Sequence, residues 1–87
     1  MNRQTVIDLI NAADSAHSFN RGDEIALEYY HTRFAEGWRP AYGDSGRLTT
    51  NQGIYECHVQ DDYVAVFASH ETNGETGQVR SVGTIEE

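Results

Sequence analysis

The 87-residue chain contains no lysine, one cysteine and no long apolar run. The single cysteine, Cys57, excludes an internal disulfide and a zinc site built from cysteines. No stretch approaches the ~20 apolar residues of a membrane-spanning helix, and no apolar core follows the first residues as in a signal peptide. The length fits one small domain that spans residues 1–87. These absences predict a soluble protein of the cytoplasm.

All six basic residues are arginines, and fourteen acidic residues bring the formal net charge to −8. Guanidinium groups are more weakly hydrated than ammonium groups, and an excess of carboxylates keeps a protein dispersed by repulsion. That repulsion is screened at molar salt, where the Debye length falls to roughly 3 Å. The composition resembles that of halophilic proteins from salt-accumulating cytoplasms, such as those of haloarchaea and their viruses. A GC-rich genome and an ordinary acidic phage or plasmid protein are the alternatives.

Helical periodicity predicts an N-terminal helix over residues 3–17. Thr5 with Asp8 fits a capping pattern in which a carboxylate lies three residues after a hydroxyl. A turn signal follows at residues 20–23. The apolar stripe consists of Val6, Ile7, Leu9, Ile10, Ala13 and His17.

Residues 24–38 fit either a helix or a strand. A helix would have Asp23 as its N-cap, Gly37 at its end and one apolar face. Apolar and polar residues also alternate between Glu24 and Tyr29, and tyrosine and threonine favour strands. We favour the strand and keep the helix as the alternative. The helical face would consist of Leu27, Tyr30, His31, Phe34 and Trp38.

Residues 37–53, which include Pro40 and several glycines, are predicted to form a loop. The remainder of the chain is predicted to form β-structure. Turn signals occur at residues 60–62 and at Asn73-Gly74, a pair that suits a type I′ hairpin turn. The resulting fold class is α+β, with an N-terminal helix followed by an antiparallel β-meander of about four strands. Closure into a small SH3-like or Sm-like barrel would remove the exposed edges. The later predicted strands are 54–59, 63–69 and 79–85.

No motif indicates catalysis, so we expect no enzyme, no metal and no cofactor. Cys57 and His58 are neighbours on a predicted strand, so their side chains point to opposite faces. We place Cys57 in the core with Tyr55 and Val59, as a small hydrophobic residue. The histidines show no metal-ligand spacing: His17, His31, His58 and His70.

Arginines and aromatic residues alternate between residues 29 and 47, where three arginines and two acids give +1 in a chain of −8. Arginine and tryptophan are enriched in protein hot spots, and aromatic residues also stack single-stranded bases. The alternative for the aromatic residues is core packing. The predicted binding patch consists of Tyr30, Arg33, Trp38, Arg39, Tyr42 and Arg47. A predicted acidic surface in the C-terminal third consists of Asp61, Asp62, Glu71 and Glu75.

Small size, acidity and the lack of catalytic motifs resemble phage-encoded inhibitors that occupy nucleic-acid-binding surfaces, including anti-CRISPR and anti-restriction proteins. The resemblance is one of composition, and it implies a non-enzymatic module that acts by protein–protein contact. The acidic surface would then stand in for phosphate charge. The alternative is a small β-barrel that binds nucleic acid through the arginine and aromatic patch. The net charge opposes non-specific binding to nucleic acid and to anionic membranes.

Overall fold

A computed structural model describes residues 2–14, 19–40, 46–60, 63–69, 71–72, 75–76 and 79–85. Two helices precede a set of antiparallel strands, so the predicted α+β class and the meander are confirmed. A second helix replaces the strand favoured at residues 24–38. The elements are α1 (Arg3–Ala12), α2 (Arg21–Ala35), β1 (Arg47–Thr50), β2 (Gly53–Gln60), β3 (Tyr63–Ser69), β4 (Glu71–Thr72), β5 (Glu75–Thr76) and β6 (Arg80–Ile85).

Helix α1 is capped by Asn2, whose side chain accepts a hydrogen bond of 2.8 Å from the backbone N–H of Thr5. Thr5 is therefore the third helical residue and not the cap. The helix ends at Ala12 because Ala13 adopts an extended conformation. The Gln52 side chain donates to the carbonyls of Asn11 and Ala13, which satisfies backbone groups at this end. The predicted continuation of the helix is wrong at Ala13 and Asp14, and the rest of the predicted helix, residues 15–17, lies outside the described chain.

Helix α2 begins with a reciprocal capping box between Asn20 and Asp23. The N–H of Asp23 donates to the side chain of Asn20 at 3.0 Å, and the N–H of Asn20 donates to Asp23 at 3.1 Å. Its buried residues include Ala26, Tyr30 and Phe34, which recur every four residues and form one face. The strand interpretation of residues 24–38 is wrong, because the caps and this buried stripe outweigh the strand propensity of the tyrosines.

The main sheet has the order β1-β2-β3-β6, and all neighbours are antiparallel. Strand β1 lies within the segment predicted as a loop and takes the place of the expected first strand. Strands β1 and β6 form the edges of the sheet that the described strands make, so no pairing between described strands closes it into the barrel that the sequence allowed. Between β3 and β6, Val66 pairs with Gly83 and Phe67 pairs with Ser81. This register leaves Val82 of β6 as an extra, bulged residue.

Both helices cover one face of this sheet. Tyr55 and Cys57 point into the core as predicted, whereas Val59 at the end of β2 is 58% exposed. The sheet and helix residues form a single hydrophobic cluster that includes Ile10, Tyr30 and Leu48. The structure is therefore a two-layer α+β domain whose second sheet face is not covered by either helix.

Strands β4 and β5 form a separate two-stranded sheet in which Glu71 pairs with Thr76 and Thr72 with Glu75. This pairing agrees with a hairpin at the predicted position. Asn73 and Gly74 themselves lie outside the described residues.

Candidate binding surface at the end of helix α2

The C-terminus of α2 is closed by a Schellman motif at Gly37, which has a φ of +93°. The N–H of Gly37 donates to the carbonyl of Phe34, and the N–H of Trp38 donates to that of Arg33, both at 3.0 Å. Glycine is favoured here because its backbone adopts positive φ without steric cost. The predicted end of the helix at Gly37 is confirmed, and the motif fixes the backbone position of Trp38.

Trp38 is half-buried and packs against the core. Its ring stacks on Tyr30, with centroids 6.2 Å apart and planes at 23°. The guanidinium carbon of Arg33 lies 5.7 Å from the Trp38 ring centroid, which is a cation–π distance. Trp38 thus joins the core to a positively charged group at the surface.

Arg39 is exposed, and several contacts fix its guanidinium. The guanidinium carbon lies 3.7 Å from the centroid of the Phe34 ring. Its Nη1 donates to the carbonyls of Phe34 and Trp38, at 3.1 and 2.9 Å. We name the group formed by Arg33, Trp38 and Arg39 the α2-end surface. Of residues 38–40, which the sequence predicts at the surface, Arg39 is exposed, whereas Trp38 and Pro40 are half-buried.

Two residues of the predicted patch, Tyr30 and Arg47, lie elsewhere in the structure. Tyr30 is 1% exposed, and its hydroxyl donates to the carbonyls of Gly46 and Tyr55 at 2.7 and 3.2 Å. Burial raises the pKa of Tyr30. Its place in an exposed patch is therefore wrong, because the ring fills the core between α2 and the sheet. Tyr42 lies outside the described residues, and Arg47 belongs to the uncovered face of the sheet.

On that uncovered face, charged and aromatic side chains form a row that the sequence did not predict. The Arg47 Nε donates to Glu56 at 2.9 Å, and a His58 ring nitrogen lies 3.1 Å from the other Glu56 oxygen. The His58 ring is 5.8 Å from that of Phe67. Burial alone would raise the pKa of Glu56, but the hydrogen bonds from His58 and Arg47 lower it. The alternation along β2 indicated a shared face, but not the cross-strand partners.

A buried polar cluster ties the start of α2 to the sheet. The Asp23 carboxylate is fully buried and accepts two hydrogen bonds of 2.7 Å from Arg80. It also accepts a hydrogen bond of 2.9 Å from the Tyr55 hydroxyl. Burial, and then this hydrogen bond, raise the pKa of Tyr55, and the bonds to Asp23 raise the pKa of Arg80. Asn20, Asp23, Tyr55 and Arg80 form what we call the Asp23 clamp. This cluster links the start of helix α2 to strands β2 and β6.

Cys57 is 4% exposed, which confirms its place in the core. Burial raises the pKa of its thiol to about 12, so the thiolate needed for nucleophilic chemistry is disfavoured. His58 lies on the opposite face beside Glu56, as the strand alternation predicts. His31 is exposed on α2, and the other two histidines lie outside the described residues.

The predicted acidic surface falls on parts of the chain where side chains are not described. Asp61 and Asp62 lie outside the described residues, and Glu71 and Glu75 are described only as backbone positions in β4 and β5. This surface stays a prediction.

No family model, curated protein or solved structure matches the chain. Within the described ranges, no three residues of His, Cys, Asp or Glu are grouped so that they could hold a metal ion. In the same part of the chain, no helix is both long enough and apolar enough to cross a membrane.

Proposed function

We propose that this chain is a non-enzymatic protein-binding module and that the α2-end surface is its contact site. The observation that carries the proposal is the fixed arrangement at the end of α2, where Arg33 lies over the half-buried Trp38 ring and Arg39 over the buried Phe34 ring. Arginine and tryptophan are the residues most enriched among the side chains that dominate interface energies. Here they occur together, next to a helix end that a Schellman motif makes rigid.

Preorganisation strengthens this choice of surface. Ordering a flexible side chain at an interface costs about 0.5–1.5 kcal/mol. Arg39 has already lost much of that freedom, since its guanidinium is held by the Phe34 ring and by two backbone carbonyls. A partner that binds this group would therefore meet a side chain already in place.

The acidity of the remaining chain suggests how the module finds its partner. Residues 56–87 carry seven acids and one arginine. We propose that this charge steers the protein to a basic partner in the cytoplasm of a cell or of a viral host. An inhibitor that occupies a nucleic-acid-binding surface is the version that its composition supports. Charge reversal at Asp61, Asp62, Glu71 and Glu75 should then slow association more than it speeds dissociation.

The test is affinity capture of host proteins by the tagged chain, with Arg39→Ala as the functional variant. Arg21→Ala is a matched control, because Arg21 is an exposed arginine at the other end of the same helix. We expect a protein captured by the wild type and by Arg21→Ala to be lost with Arg39→Ala, with an affinity loss of about thirtyfold for a hot-spot side chain. Circular dichroism would show that each variant is folded.

Equal capture by Arg39→Ala would show that the α2-end surface is not the contact site. Loss of activity in folded Cys57→Ala or His58→Ala variants would argue for an enzyme instead. Binding of an oligonucleotide that persists at high salt would favour the nucleic-acid alternative, because a purely electrostatic interaction weakens with salt. We omit Trp38→Ala from the primary test, since the ring packs on the core and its loss would also lower stability.

A further inference from the structure

Three arginines lie beside a carboxylate of the same chain. Arg21 pairs with Glu24 at 2.8 Å. Arg47 pairs with Glu56 at 2.8 Å, and Arg80 with Asp23 at 2.7 Å. Arg33 differs, because no carboxylate of the described residues lies within the 4.0 Å of an ion pair. In a chain with fourteen acidic residues and six arginines, internal carboxylates are abundant. The lack of a described carboxylate partner therefore distinguishes Arg33 from Arg21, Arg47 and Arg80.

Arg33 is nevertheless held in place. It is half-buried, and its guanidinium lies over the Trp38 ring. A guanidinium over an aromatic face retains its in-plane N–H groups, whose fork geometry matches a carboxylate or a phosphate. Arg39 is attached to the same structure, since it donates to the carbonyl of Trp38. The α2-end surface thus presents a prepared anion site beside an aromatic side chain.

We propose that the α2-end surface binds an acidic segment of a partner protein that is basic overall, and that Arg33 receives a carboxylate of that segment. This inference rests on the proposed function and specifies the chemistry of the partner. An apolar side chain next to the carboxylate would cover the exposed part of the Trp38 ring.

A protein carboxylate fits better than a nucleic-acid phosphate for two reasons. A molecule with a net charge of −8 repels a chain of phosphates along its whole length, whereas an acidic segment brings only a few charges. The Trp38 ring is also in contact with both Tyr30 and Arg33, which reduces the ring surface on which a base could stack.

The probe is a capped hexapeptide of four glutamates around two leucines, titrated into ¹⁵N-labelled protein. The control probe has glutamine in place of each glutamate. We expect the acidic peptide to shift the Trp38 indole and Arg33 Nε–H resonances, and the glutamine peptide to bind more weakly. Arg33→Gln should weaken binding of the acidic peptide by roughly three- to tenfold, and Arg33→Lys should restore part of it. Arg21→Gln should leave the affinity unchanged.

Equal binding of both peptides, or shifts confined to residues remote from Arg33, would overturn the inference. Tighter binding of an oligo-dT strand at the same surface would show that the surface binds a phosphate and not a carboxylate. If the peptide fails while Arg39→Ala still abolishes capture of the host protein, only the partner chemistry is wrong. If the Arg39→Ala variant also captures the host protein normally, the proposed function is wrong as well.

Discussion

Removal of Arg80 from the Asp23 clamp should destabilise the domain severely. Arg80→Met keeps the length and apolar stem of the side chain but removes the charge that Asp23 faces. The Asp23 side chain is fully buried, and among the described residues its carboxylate would keep the Tyr55 hydroxyl and the Asn20 N–H as partners. A buried charge without its counter-charge is among the few defects that cost several kcal/mol.

The magnitude follows from the burial of the two partners. Removing one member of a fully buried pair costs about 3–5 kcal/mol. The Arg80 side chain is 37% exposed, so water can replace part of its effect, and we expect a loss of about 2–4 kcal/mol. An 87-residue domain has a total unfolding free energy of about 4–13 kcal/mol. The variant therefore loses a large fraction of its stability.

Urea unfolding, followed by circular dichroism, measures this loss. With a slope of about 1 kcal/mol per M, the midpoint should fall by about 2–4 M. Arg21→Met is the matched control, because Arg21 and Glu24 form an exposed pair of the same helix. Its loss should change stability by less than about 1 kcal/mol.

A double-mutant cycle with Asp23→Asn separates the charge interaction from packing. Because the neutral amide removes the uncompensated charge, the double variant should be less destabilised than the sum of the single variants, by at least about 1 kcal/mol. Additive effects, or equal midpoints for Arg80→Met and Arg21→Met, would refute the assignment of a stabilising buried ion pair.

Two further predictions concern solution conditions. Cys57 should resist alkylation at pH 8 until urea unfolds the protein. Burial raises the pKa of the Cys57 thiol to about 12, so the protonated thiol contributes to the stability of the folded protein at a pH below its ordinary pKa. This stabilisation should be lost as the pH rises from about 9 towards 12. Rapid alkylation of the folded protein would contradict the burial of Cys57. If the acidic, lysine-free surface is an adaptation to salt, the melting temperature should rise from 0.1 M towards molar KCl as repulsion is screened. A flat or falling melting temperature would leave codon bias as the explanation.

The sequence predicted the structure best where buried residues recur with the spacing of a strand or a helix. The alternation in residues 54–59 correctly placed Tyr55 and Cys57 in the core, because a strand covered on one face separates its residues by parity. The apolar stripe likewise identified α1, although it did not show where the helix ends. That end depends on Gln52, which lies about forty positions further along the chain.

Helix α2 was kept only as the alternative to a strand, because Tyr29, Tyr30 and Thr32 favour strands and tertiary burial decides between the two periods. One local signal was present, since Asn20 and Asp23 have the spacing of a capping box. Strand β1 offered less, because it has four residues and its one buried side chain, Leu48, is opposite Tyr55 in the register.

The α2-end surface was predicted in part. Arg33, Trp38 and Arg39 do come together, because Gly37 ends the helix and a short segment then places Trp38 and Arg39 beside its last turn. The burial of Tyr30 follows from the helical face on which it lies, and the strand interpretation concealed that face. Nothing local indicates the pair of Asp23 and Arg80, whose members are 57 residues apart.

That separation has a consequence for the order in which the chain can become native. The capping box at the start of α2 can form as soon as residues 20–23 are available, but the burial of Asp23 requires a counter-charge from β6. Until that strand docks, the favourable state of the carboxylate is a hydrated one, and water must remain at the junction between the helices and the sheet. Closing so long a loop is also entropically unfavourable and slow compared with helix formation. Docking of β6, the last strand of the sheet, therefore excludes water from this junction and stabilises it. The capping box that positions Asp23 there can form earlier, within the first quarter of the chain.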